Sequence, residues 1–328
     1  MRLSAVRHYR HCLAGLALLC IGALPAHAAA PAPPLRFSVF ARTGVALSGV
    51  LWTGSAFLYT VEGGRAIYAT DASGAHLRVF ATVPQNNGEM RCILSPGAHG
   101  FPARMIYCHA AQGQIYRISA DGHTITQVAM VPTPHGSDGA LTYDATGMFG
   151  STLLAATGGS DAGPGVVYTV QPGGQVRQLG AYAGPGGAEN IAIAPPGFGA
   201  VAGQVLITID KHDHQGRLLA MDAHGAVRTL VQGLPWGLNS IAAIPADLRG
   251  AAPGSTYKLY LADWRSHTVL VAPAGPLQAF AGDLFVATER RHNLYVVRPQ
   301  GSGYSLTSLQ TNLPAPDYNF EGACFVAG

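Results

Sequence analysis

An all-β chain folded as a six-bladed β-propeller of four-stranded antiparallel blades is what this sequence predicts, and three observations predict it. No segment of helix length carries an amphipathic period; short runs of β-branched, aromatic and aliphatic residues alternate with Gly, Pro, Asp and Asn instead. Those runs group in fours, and the group recurs at a spacing of roughly 40–50 residues, as propeller blades do. The 42 glycines and 22 prolines are spread along the chain as turn punctuation rather than gathered into a low-complexity tract.

The chain opens on a segment that reads as a cleavable export signal. Arg2, Arg7 and Arg10 form a basic start with no acidic residue, residues 12–24 are apolar, and Pro25 ends the run. Ala26-His27-Ala28 supplies the small-x-small site, which places cleavage after Ala28. The apolar run falls short of the ~20 residues needed to span a bilayer. Residues 29–34 are a Pro/Ala linker, and residues 35–328 form one propeller domain, expected in the periplasm or the medium. Losing three arginines and no acid takes the formal charge of +3 to about zero. A neutral chain with 11% charged residues has no electrostatic footprint for nucleic acid, and no later run is long enough for a membrane span. A small-molecule ligand is the expected partner.

Within the propeller, residues 89–131 show the unit as EMRCILS, RMIYCHA, GQIYRISADG and ITQVAMV. Residues 138–182 and 189–234 repeat it. Asp-x-x-Gly turns follow the third strand at 71–74 and 222–225, where Gly and Asp suit a tight hairpin. Second strands end near Glu62, His109, Asp161, Asp210, Asp263 and Glu289, which gives six blades, with seven left open. The 26-residue interval between the last two implies an abbreviated fifth or sixth blade. The C-terminal NFEGACFV reads as an innermost strand that closes the ring. Cys92 and Cys108 sit in consecutive strands and are a candidate disulfide, allowed outside the cytoplasm.

In a propeller, loops into the first strand and out of the second share one face. Ser48, Glu89, Asp138, Glu189, Asn239 and Glu321 open inner strands, so they converge on one channel mouth. Oxygen ligands from several blades suit Ca²⁺ or another divalent cation, with six to eight oxygens around it. His109, and His212 with His214 in a His-x-His turn, are candidates for binding or gating at the same mouth.

The segment Asn239-Ser-Ile-Ala-Ala-Ile-Pro through Lys258-Leu-Tyr-Leu-Ala-Asp263 resembles one blade of the SMP-30/gluconolactonase group of six-bladed propellers. Ser137-Asp138-Gly139 through Asp144 and Phe320-Glu321-Gly322 are similar to other motifs of that group. The resemblance implies a cation held by Glu321 and Asn239, with Asp263 as ligand or base, and hydrolysis of a sugar lactone. Here Glu321 lies at the far C-terminus, while Ser48 opens the first blade where the group has its glutamate. His135-Gly-Ser-Asp138-Gly is loosely similar to quinone-dependent sugar dehydrogenases. The sequence therefore offers a metal-dependent lactone or ester hydrolase, a non-catalytic ligand- or protein-binding propeller, and a quinone-dependent dehydrogenase, in that order.

Overall fold

A computed structural model describes residues 33–158, 164–184, 186–210, 216–250, 257–289, 293–314 and 318–328. The signal segment 1–28, Asp161, His212 and His214 lie outside the described residues. The described chain is all β apart from three 3-10 turns, and its strands make six four-stranded antiparallel sheets. No helix among the described residues is long and apolar enough to cross a membrane.

After β1 (Ser38–Arg42), blade one is β2 (Leu47–Trp52), β3 (Ala56–Val61), β4 (Ala66–Asp71) and β5 (Arg78–Thr82). Blade two is β6 (Met90–Leu94), β7 (Ile106–Ala110), β8 (Gln114–Ile118) and β9 (Ile125–Met130). Blade three holds β10 (Leu141–Tyr143), β11 (Leu153–Thr157), β12 (Gly165–Val170) and β13 (Val176–Tyr182). Blade four holds β14 (Gly187–Ile193), β15 (Val205–Asp210), β16 (Gly216–Met221) and β17 (Val227–Leu234).

The last two blades are interlocked. Blade five begins with β18 (Leu238–Ala243), but the chain then leaves to build the hairpin β19 (Lys258–Asp263) and β20 (Thr268–Pro273) of blade six. It returns to finish blade five with β21 (Leu284–Thr288), β22 (Leu294–Gln300) and β23 (Gly303–Ser308). Finally β24 (Phe320–Val326) pairs with β19 as the inner strand of blade six, and β1 pairs with β20 as its outer strand. The expected abbreviated blade is thus corrected: both are complete, and the short interval marks an inserted hairpin. The segment from Asn239 to Asp263 is likewise not one blade, because β18 pairs with β21 and not β19.

Burial explains the strand types. Second strands such as LLAAT in β11 and LFVAT in β21 are buried along their whole length, because both faces meet a neighbouring blade. Outer strands such as ITQVAM in β9 keep exposed positions. The apolar residues form six clusters among the described residues, one in each interface between neighbouring blades. The ring closes where β24 meets β2. A Cβ on Gly322 would stand 3.0 Å from the Gly49 Cα and 2.9 Å from the Val50 nitrogen, so only glycine admits this approach.

Candidate functional site

The starts of the inner strands deliver polar side chains to the channel. Glu89 precedes β6, Glu189 lies in β14, Asn239 in β18 and Glu321 in β24. Carboxylate oxygens of Glu89, Glu189 and Glu321 lie within 4.8 Å of one another. Asp138, ahead of β10, shares a hydrogen bond with Glu189. Five of the six positions read as mouth residues are therefore brought together. Ser48 is buried and spent on the framework, its hydroxyl donating to Thr60 Oγ1 at 3.1 Å.

What fills the centre is Arg91, which the sequence reading passed over. Its Nη2 stands 2.6 Å from Glu89 Oε2, 3.0 Å from Asn239 Oδ1, 3.4 Å from Glu321 Oε2 and 3.5 Å from Glu189 Oε2. Its Nε donates to the Glu189 carbonyl at 3.2 Å. Asn239 completes the net by donating to Glu189 at 3.2 Å and to Glu321 at 2.5 Å. A signal was present: Glu89 and Arg91 are two apart in the extended chain entering β6, where alternate side chains leave on one face.

Four carboxyls face one guanidinium, and burial drives their acidity down. Burial pushes Glu89 up to about 8, with Arg91 opposing it and the neighbouring carboxylates adding to it. Asp138 rises to about 6 from the same first cause. Glu189 and Glu321 are held well above the usual carboxylate range, by burial first and by their acidic neighbours second.

Above the net, an acidic mouth pocket of about 500 Å³ is lined by Glu89, Asp138, Glu189, Asp210 and Glu289, with His135, Ser137 and Asn87. Glu62 accepts a hydrogen bond from the Trp264 indole. The mouth is rich in hydrogen-bond acceptors.

Two expected site residues stand elsewhere. Asp263 is fully buried, and its oxygens accept from the Ser266 nitrogen at 2.9 Å and the Asn319 nitrogen at 2.6 Å. It ties the β19 turn to the segment entering β24, and burial pushes its carboxyl above the usual carboxylate range. Asp144 does the same kind of work, accepting from the backbone nitrogens of Thr146, Gly147, Phe149 and Ser151. His109 is buried, and burial pushes it down to about 4, so it is neutral. Its Nδ1 bonds the Ala140 carbonyl of the next blade at 3.1 Å. Thr208 makes the equivalent bond to the Asn239 carbonyl, across the same separation of 31 residues. His109 is a staple between blades. Cys92 and Cys108 face each other across β6 and β7 and form a disulfide; Cys324 is free, with its thiol pushed up to about 12 by burial.

A divalent cation does not fit the centre of this net as it stands. Ca²⁺ takes its oxygens at about 2.3–2.6 Å, and the point where these oxygens converge already holds the Arg91 nitrogen.

Fold and site together define a six-bladed β-propeller with an arginine-centred acidic channel. No family model and no curated protein sequence matches the chain. Solved structures do. A chain of the nidogen/laminin complex aligns with a TM-score of 0.55 at 10% identity, covering 85% of this chain and 84% of that one. The soluble aldose sugar dehydrogenase from Escherichia coli, in its apo form, aligns with a TM-score of 0.53 at 9% identity, covering 90% and 100%. At these identities the likeness is one of fold alone.

Proposed function

We propose that this chain is an exported, non-catalytic binding propeller. In it Arg91 takes the place that a divalent cation holds in the lactonase-like reading, and the acidic mouth receives a small molecule rich in N–H or O–H donors. The seat of Arg91 among Glu89, Glu189, Asn239 and Glu321 carries this reading. A fixed internal cation gives the net the balance that a metal would otherwise supply, and the surplus of carboxyls faces the mouth. The Cys92–Cys108 disulfide supports delivery to an oxidising compartment.

Two measurements test it. Metal analysis and thermal unfolding of the purified protein are expected to show no stoichiometric metal and no stabilisation by about 1 mM Ca²⁺. Replacing Arg91 by Met opens the carboxylate cage, and Ca²⁺ then stabilises the variant. Titration with glucosamine is expected to stabilise the wild type while gluconate, an anion, does not; Asp138→Asn weakens the glucosamine effect. Stoichiometric metal in the wild type, lost in Glu189→Gln, overturns the reading.

One observation favours a second reading. Asp138 and the three glutamates supply more carboxyl than one guanidinium balances, which suits a cation bound nearer the mouth and hydrolysis of a lactone or ester there. Turnover of any member of a lactone panel with Ca²⁺, Mn²⁺ or Zn²⁺ selects it.

A further inference from the structure

On the far side of Arg91 the channel opens into a chamber that the mouth does not use. Its volume is about 270 Å³, and residues of all six inner strands line it. Most of the lining residues are aliphatic, Val50, Ile93, Leu141, Ile191 and Ile241 among them from five blades. Such a chamber is small beside ordinary ligand pockets of about 300–1,000 Å³.

Thr60, Thr142 and Asn190 line it beside Arg91, whose guanidinium is its charged group. The Arg91 side chain is 4% exposed and its Nη2 and Nε are engaged, yet its Nη1 is buried with no hydrogen-bond partner. A buried donor left unmade costs about 1–3 kcal/mol, and native folds keep few of them. Nη1 borders the space over Gly49: a Cβ there would stand 3.9 Å from Nη1 and 2.8 Å from Thr60 Oγ1. Gly49 and Arg91 both line the chamber.

We propose that this chamber is a second binding site, for a small uncharged molecule with an apolar body and one carbonyl or hydroxyl oxygen that accepts a hydrogen bond from Arg91 Nη1. Charge selects the neutral class. The guanidinium is already outnumbered by Glu89, Glu189 and Glu321, so an anion gains nothing from it. An ammonium would bring a donor to a donor. The aliphatic walls match an apolar body, whose transfer from water supplies the drive.

Cyclohexanone is the probe, with cyclohexanecarboxylate and cyclohexylammonium as charged counterparts of similar body. Calorimetric or saturation-transfer titration is expected to give saturable binding of the ketone to the full chain and none of the two ions. Ala242→Phe fills the chamber without touching Arg91 and is expected to weaken the ketone by about tenfold or more. Ala323→Phe, from another blade, does the same should the first variant fail to fold. Arg91→Lys keeps a cation but has no Nη1, and is expected to weaken the ketone by about fivefold. Absence of saturable ketone binding to the wild type, or equal binding in a folded, filled variant, overturns the proposal. So does tighter binding of either ion, or density for water alone in a crystal soaked with the ketone.

Discussion

The mouth and the chamber are two ends of one channel, built by the same inner strands, and they differ in almost every physical respect. At the mouth, strand-opening positions are acidic, and burial holds the carboxyls of Glu89, Asp138, Glu189 and Glu321 above the usual carboxylate range. A few residues further along those strands, the lining turns to Ile93, Leu141, Ile191 and Ile241. Arg91 is the partition: its Nη2 serves the acids, and it also lines the chamber, with its Nη1 buried and unpartnered. A single guanidinium can hold such a boundary because its fork presents donors in two directions.

The comparison breaks most sharply if the partition is removed. Arg91→Met removes the counterion of the buried cluster and is expected to cost about 3–5 kcal/mol by urea unfolding at pH 9, where Glu89 and Asp138 are ionised; the loss shrinks at pH 5, where those carboxyls hold protons. Next comes the disulfide on the chamber side. Replacing Cys92 and Cys108 together by Ala opens a loop of 16-residue separation and is expected to cost about 3 kcal/mol. The wild type itself titrates. Glu89 is raised from an ordinary 4.5 to about 8, so between those values the folded chain keeps a proton that the unfolded chain has lost. Stability is therefore full below about pH 4.5 and falls as pH rises toward 8, by about 3–4 kcal/mol between pH 5 and 8; Glu89→Gln flattens that slope. The smallest effect lies outside both regions: Asp263→Asn keeps one acceptor of its turn and is expected to cost about 1 kcal/mol, with glucosamine binding at the mouth unchanged.

Much of this was legible in the sequence for a plain reason: a blade is a local repeat, and local repeats print their period. The strand-opening acids were legible too, because aligned repeats place equivalent residues on one face. Arg91 was not, since an arginine in a strand reads as a solvated side chain until its neighbours from β14, β18 and β24 are in place. His109 misled because a histidine at a strand end looks chemical, whereas its staple to Ala140 needs the next blade to be visible. The interlock misled because β19 and β21 are equally good second strands. One cue did distinguish them: Ala202-Gly203-Gln204-Val205 ahead of β15 recurs as Ala281-Gly282-Asp283-Leu284 ahead of β21, and nothing like it precedes β19.

The interlock also sets a calendar for folding. Blades one to four can each be completed as their residues emerge, because their strands are consecutive. Blade five cannot, since its first strand must wait while the hairpin of another blade is made. Blade six waits longest, because it joins β1, the first of the described strands in the chain, to β24, the last of them. Its closure needs pairings as distant in sequence as Ser38 with Val271, and so carries a heavy entropic delay. The ring is therefore expected to close in a single late event, with the earlier blades standing as an open arc until β24 arrives.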